Sequence, residues 1–202
     1  MIDLKEKNSD WSEQKKAKTI FPVLELLRER WSPRSFAPDP ISEIQMNTLL
    51  EAASWSFSAS NLQPWYYYYS HRGTSGFDTM LSCLAPGNQV WAKNAAVLMV
   101  SLAKKYREPG KPNIWSKHDL GAANMSLVLQ AQSMNIHGHL MAGFDSGKIV
   151  ETIGIDASAY EPVACIALGY RGDPEKLDSP LRERELEVRT RKPITEIAQK
   201  LY

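Results

Sequence analysis

"SFSASNLQPWYYYY", residues 56–69, sets small polar residues against Gln-Pro-Trp and then four tyrosines. Serine and asparagine side chains compete with the backbone for hydrogen bonds, so they disfavour helix and strand interiors. Trp65 to Ser70, by contrast, is aromatic and free of breakers, which is the composition of a strand. Two further segments, "AAVLMVSLA" (95–103) and "VACIALGY" (163–170), are short, apolar and rich in β-branched residues, as buried strands are.

Helical signals lie among these strands. "PVLELLRER" (22–30) opens on a proline tolerated in a first turn and places Val23, Leu26 and Leu27 on one face, predicting a short helix ended by Pro33. Ser42 with Gln45 forms a capping-box pattern before Met46, Leu49, Leu50 and Ala53, predicting a helix over 42–55. From Lys117 to Met134, Leu120, Ala123, Leu127, Ala131 and Met134 form an apolar stripe, while Gly121, Ala122 and Ser126 keep the other faces slim for close packing. Further helices are expected from Asp145 to Ile153, after "HLMAGF", and from near Pro193. The elements mix without a βαβ rhythm, which indicates α+β over a doubly wound sheet.

A chain of 202 residues that is 43% hydrophobic can bury a core of its own. Residues 1–18 are polar and lysine-rich and read as a flexible or surface arm, leaving 19–202 as a single domain with a C-terminal extension. Lysine plus arginine (24) nearly cancels aspartate plus glutamate (23), so no long-range field draws the chain to nucleic acid or an anionic membrane. Any anion site has to be local. Cys83 and Cys165 are far apart without ligand spacing, so neither a disulfide framework nor a zinc site is expected, and a reducing cytoplasm is the simplest compartment. The first twenty residues lack an apolar signal core, and no apolar run is long enough to span a bilayer.

"RERWSPRSF" (28–36) places Arg30, Ser32 and Arg34 at alternate positions around Pro33. In an extended conformation all three point the same way, and forked guanidinium donors match phosphate oxygens. The same arginines would also suit a solvated helix C-terminus, and taken alone that is the ordinary reading. "EVRTRKP" (187–193) repeats the pattern with Arg189 and Arg191, and alone it suits a solvated tail. In "MAGFDSG" (141–147), Gly143 allows close backbone approach and Asp145 can cap a helix, as in many ordinary loops. Asp119 and Asn124 fit satisfied polar residues in a helix better than catalysts. His118, His137 and His139 have no carboxylate or cysteine at metal-ligand spacing. No nucleophile elbow, Walker loop, HExxH or GxGxxG is present, so a Rossmann dinucleotide site is not supported.

From about residue 22 to the C-terminus, four segments in order resemble the nitroreductase family of flavin mononucleotide (FMN) enzymes. "RWSPRSF" resembles its Arg-x-Ser-x-Arg phosphate motif, and "FSASNLQPW" its Pro-Ser-x-x-Asn-x-Gln-Pro-Trp segment. "HLMAGFD" resembles the stretch that passes the flavin's reactive edge, and "RTRKP" the late basic pair. The resemblance implies a mainly antiparallel central sheet flanked by helices, and an intertwined homodimer with FMN at the interface. It implies that Arg30, Ser32, Arg34, Arg189 and Arg191 hold the phosphate and ribityl end. Phe57, Ser58, Ala59 and Asn61 would reach the flavin of the other subunit, with Ser58, Ala59 and Asn61 ending a helix, while Leu140, Met141, Ala142 and Gly143 would run along the ring and Asn88 would contact it. Trp31 stands where the family commonly has arginine or histidine, Phe57 where many members have proline, and Ala142 where some have glutamate.

The implied activity is ping-pong transfer of hydride from NAD(P)H through flavin N5 to a nitroaromatic, a quinone or a similar small electron-poor acceptor. No side chain is then required as a catalytic residue. Two other readings stand beside it: a flavoenzyme of the same fold with a specialised reaction (dehydrogenase, dehalogenase or flavin-consuming), and a single-strand nucleic-acid binder using the tyrosines and arginines, which near-neutral charge disfavours.

Overall fold

Every residue from Val97 to Ala103 is buried, so the strand they form has to be covered on both faces. The computed structural model, which describes residues 9–202, shows what covers it. The strands are β1 (Trp65–His71), β2 (Val97–Lys104), β3 (Tyr106–Glu108), β4 (Lys111–Pro112), β5 (His137–Met141) and β6 (Tyr160–Gly169). Four of them form a sheet in the order β1-β2-β6-β5 with every neighbouring pair antiparallel, while β3 and β4 make a separate hairpin. The helices are α1 (Ser9–Gln14), α2 (Glu25–Glu29), α3 (Glu43–Ser54), α4 (Ser75–Cys83), α5 (Pro86–Ala92), α6 (Ser116–Ser133), α7 (Ser146–Ile153) and α8 (Leu181–Leu186).

The two-residue period of the central strands builds two cores. Leu98, Val100 and Leu102 of β2, with Cys165 and Ala167 of β6, face a cluster holding Phe77, Met80, Trp91 and Ile149 from α4, α5 and α7. Val97 and Met99, with Ile166 and Leu168, face the opposite cluster of Met46, Leu49, Ala123, Leu127 and Ala131 from α3 and α6. The continuous apolar run usual in parallel sheets arises here because helices cover both faces of an antiparallel one. The tyrosines of β1 also divide: Tyr67 and Tyr69 pack on the α3/α6 side, Tyr68 on the other. Their hydroxyls find partners at the margin, Tyr67 donating to Asn124 Oδ1 (3.1 Å) and Tyr69 to Glu43 Oε2 (3.0 Å).

The Ser42–Gln45 capping box is formed in both directions, and Asp145 caps α7 by accepting from the Lys148 amide. Elsewhere the sequence expectations need correction. The helix expected over 22–30 is confined to Glu25–Glu29, with Val23 and Leu24 exposed ahead of it and without a packing face to extend it. Near Pro193 only a single 3₁₀ turn forms, Ile194–Glu196, again without buried residues. Residues 58–61 do not end a helix. α3 stops at Ser54, and Ala59–Asn61 form a separate 3₁₀ turn. Helices α4, α5 and α8 and the β3–β4 hairpin went unread because they are short or their apolar residues are few. Of the arm expected over 1–18, residues 1–8 lie outside the described residues, while Lys15 is buried against the body of the protein. No helix among the described residues is long and apolar enough to cross a membrane.

Candidate functional site

Pro33 keeps residues 30–35 out of α2, and the segment runs extended with Arg30 at φ −68°, ψ 123°. Burial then alternates: Trp31, Pro33 and Ser35 are buried while Arg30, Ser32 and Arg34 are half-buried. Trp31 anchors the inner side, edge-on to Trp11 (5.9 Å), tilted against His137 (5.8 Å), and with the Arg171 guanidinium 4.7 Å above it. The outer side faces a cavity of about 170 Å³ lined by Arg30, Ser32 and Arg34, and by Arg189 and Arg191. The structure therefore brings together all five residues named for phosphate, across more than 150 residues of chain.

Three charged groups of this cavity were not singled out from the sequence: Lys15, Arg184 and Glu185. Glu185 is 1% exposed, and its Oε2 accepts from the Arg34 amide at 2.9 Å while Oε1 has no hydrogen-bond partner among the described residues. Burial pushes its carboxyl up, opposed by the Arg34 amide and by the charges of Lys15 and Arg34. Burial pushes Arg30 and Arg189 down, and so do their neighbours: Arg191 acts on Arg30, and both Arg30 and Arg191 act on Arg189. Six cations around one carboxylate leave a large unbalanced positive charge, part of which a phosphate dianion would offset with charge-assisted hydrogen bonds. On that ground the residues present fit the phosphate end of FMN.

The second predicted segment ends β5. Leu140 and Ala142 are exposed, Gly143 is half-buried, and Met141 is buried in the core. The Gly143 carbonyl accepts from Asn88 Nδ2 (3.0 Å) and from the Ala85 amide (2.9 Å), so α5 fixes this edge. His139 of β5 lies against Trp91 (4.5 Å) with Nδ1 3.0 Å from the Pro33 carbonyl. A carbonyl partner requires the proton on Nδ1, and this bond ties the β5 edge to the arginine segment. His118, His137 and His139 lie in different surroundings, and no cluster of three metal-ligating side chains is found among the described residues.

The third predicted segment is not brought to the basic cavity. Ala59 and neighbouring Ser60 and Leu62 line a different cavity of about 350 Å³ with Arg107, Pro112, Asn113, Ile114 and Trp115. Phe57 is 69% exposed beside His118 (ring centroids 5.9 Å). The loop is strained: Ser60, Asn61 and Gln63 have φ of 52°, 54° and 46°. Buried Asp119 holds it, Oδ2 accepting from the Ala59 amide (3.1 Å), and Ser58 Oγ accepts from the Gln63 amide (3.0 Å). Asn124 is satisfied within the fold, donating to Ser101 Oγ (3.2 Å) and accepting from Tyr67.

The family model described as Nitroreductase family matches residues 27–75 and 78–170. The chain belongs to the nitroreductase family. Relatives agree with that placement. A crystal structure of an oxidoreductase containing FMN is 35% identical, covers 91% of this chain and 93% of its own, and superposes with a TM-score of 0.86. A candidate NAD(P)H nitroreductase, YdgI of Bacillus subtilis strain 168, is 24% identical over 189 residues, 74% of this chain and 88% of its own length. A nitroreductase-family fold from Desulfovibrio desulfuricans, solved in complex with FMN, is 19% identical and covers 91% of this chain and 99% of its own, with a TM-score of 0.73. Within this nitroreductase-family chain, Lys15 and the Arg184–Arg191 segment lie outside the matched residues. Arg189 and Arg191 were legible through the resemblance of "RTRKP" to the late basic pair, whereas Arg184 and Glu185 carried no such signal, and only the lysine-rich composition of the arm hinted at Lys15.

Proposed function

We propose that this nitroreductase-family protein is an FMN-dependent oxidoreductase that passes reducing equivalents from NAD(P)H to a small electron-poor acceptor such as a nitroaromatic or a quinone. The observation that carries the proposal is the cavity ringed by six cations and one carboxylate, whose arginine segment is tied by the His139–Pro33 hydrogen bond to the strand that ends at Leu140–Gly143. FMN, when bound, supplies the hydride-accepting ring that lets donor and acceptor react in turn.

The chain's own residues hold and orient that group. Arg30, Arg34, Arg189 and Arg191 neutralise the phosphate, and Ser32 adds a hydroxyl donor. Asn88 and Ala85 fix the Gly143 carbonyl, so the neighbouring backbone donors are preorganised for negative charge at the ring edge. The 56–63 loop, strained and held by Asp119, is separate from the basic cavity and meets a second subunit's flavin in a homodimer. Exposed Trp55, Phe57, Ile114 and Trp115 supply an apolar surface for that subunit. Buried, unpaired Cys83 and Cys165 suit a cytoplasmic enzyme.

The decisive measurement is the visible spectrum of the purified protein with identification of the released chromophore. A yellow dimer that releases FMN and shows parallel-line kinetics with NAD(P)H and a quinone is expected. A colourless protein that cannot be reconstituted with FMN would end the proposal.

A further inference from the structure

We propose that Lys15 is a further anion-binding residue of the basic cavity, supplied by an N-terminal segment outside the family match. The proposal rests on the assignment of that cavity to the FMN phosphate. Lys15 is 5% exposed yet lines the cavity with Arg30, Arg34, Arg189 and Arg191. A lysine taken so far from water needs acceptors for three N–H donors. Its hydrogen bond among the described residues is to the Glu187 carbonyl (2.6 Å). Glu185 acts on it through charge, without a hydrogen bond. Two donors therefore remain for a ligand in the cavity.

The same residue sets its neighbours. The Lys15 carbonyl accepts from Arg189 Nη1 (3.1 Å), which also donates to the Arg28 carbonyl (2.7 Å). The Arg28 carbonyl accepts in turn from the Ala17 amide (2.8 Å). Lys16 pairs with Glu13 (2.9 Å) in α1 and with Glu29 (3.2 Å) in α2. The N-terminal segment is thus clipped to α2 and to the C-terminal arginines, with the Lys15 side chain turned inward between them. Its ammonium contributes charge, and its backbone orients Arg189.

Lys15→Met separates these two contributions, because it removes the ammonium and leaves the carbonyl. The apoprotein is titrated with FMN and with riboflavin, which lacks the phosphate, following quenching of flavin fluorescence. Losing a charge-assisted contact is expected to lower FMN affinity about tenfold and to leave riboflavin affinity unchanged, with Lys15→Arg recovering most of the preference. An unchanged ratio of the two affinities, or an equal loss of both, would overturn the proposal alone. A wild-type chain that does not prefer FMN over riboflavin would overturn the phosphate assignment and this proposal with it. Independently of folding in the variant, acetylation of Lys15 in the wild-type chain, read by peptide mass, should be slowed by FMN and not by riboflavin. Equal modification in all three samples would count against the proposal.

Discussion

Asn88 Nδ2 lies 3.0 Å from the Gly143 carbonyl, and a Cβ on Gly143 would sit 2.9 Å from that same nitrogen. One side chain thus explains both the position of the β5 edge and the absence of a side chain at residue 143. Gly143→Ala should therefore cost stability in the native chain and cost less in an Asn88→Ala background. Asn88→Ala alone should cost about 1 kcal/mol, since Gly143 keeps the Ala85 amide. A double-mutant cycle by urea denaturation measures the coupling, and strict additivity would contradict the contact.

The arginines of the cavity repel one another until a ligand arrives, as the mutual effect of Arg30, Arg189 and Arg191 indicates. Arg30→Ala or Arg191→Ala should weaken FMN binding by about 1.5–3 kcal/mol while leaving the apoprotein's melting temperature unchanged or higher. Calorimetric titration paired with thermal melts reads both signs.

Acid should destabilise the protein before its carboxylates titrate. Burial, with Arg171 nearby, lowers His137 to about 3. Burial also lowers His139 to about 4, opposed by its bond to Pro33. In the unfolded chain both return toward the ordinary value of 6.5. The unfolded state therefore binds more protons between these limits, and stability falls as pH drops from about 6.5 toward 4 and then 3. Both ring nitrogens of His137 lack hydrogen-bond partners among the described residues, so His137→Phe should leave stability at pH 7 nearly unchanged and flatten the acid slope in urea midpoints.

Asp119 is the support of the strained 56–63 loop. Asp119→Ala leaves the Ala59 amide without its acceptor and should cost about 1–3 kcal/mol. The loop should then show faster amide exchange and raise the KM for the acceptor, with the phosphate contribution to FMN binding intact. Hydrogen exchange by mass spectrometry and steady-state kinetics test the two halves.

Much of this architecture is local and so was legible. The Ser42 capping box, the Asp145 cap, the apolar stripe of 117–134 and the alternation of Arg30, Ser32 and Arg34 depend on residues a few positions apart. Their dihedral preferences and spacing determine them without the rest of the chain. Where local preference was weak, in α4, α5 and α8, neighbours decide the outcome: Phe77, Met80 and Trp91 are helical because a sheet face is there to cover.

What the sequence determined by itself is which segments can be strands or helices and which side chains can bind an anion. That these side chains meet was decided only by the tertiary structure. Lys15 and Arg34 are separated from Glu185 by most of the chain, and their convergence follows from the β1-β2-β6-β5 register and the two cores that fix it. Glu185 reads as a surface residue in a charged helix, and its burial against the Arg34 amide is set by where α8 docks. Local sequence fixes the backbone's preferences and the chemistry it carries, but long-range pairing and burial fix where that chemistry is gathered.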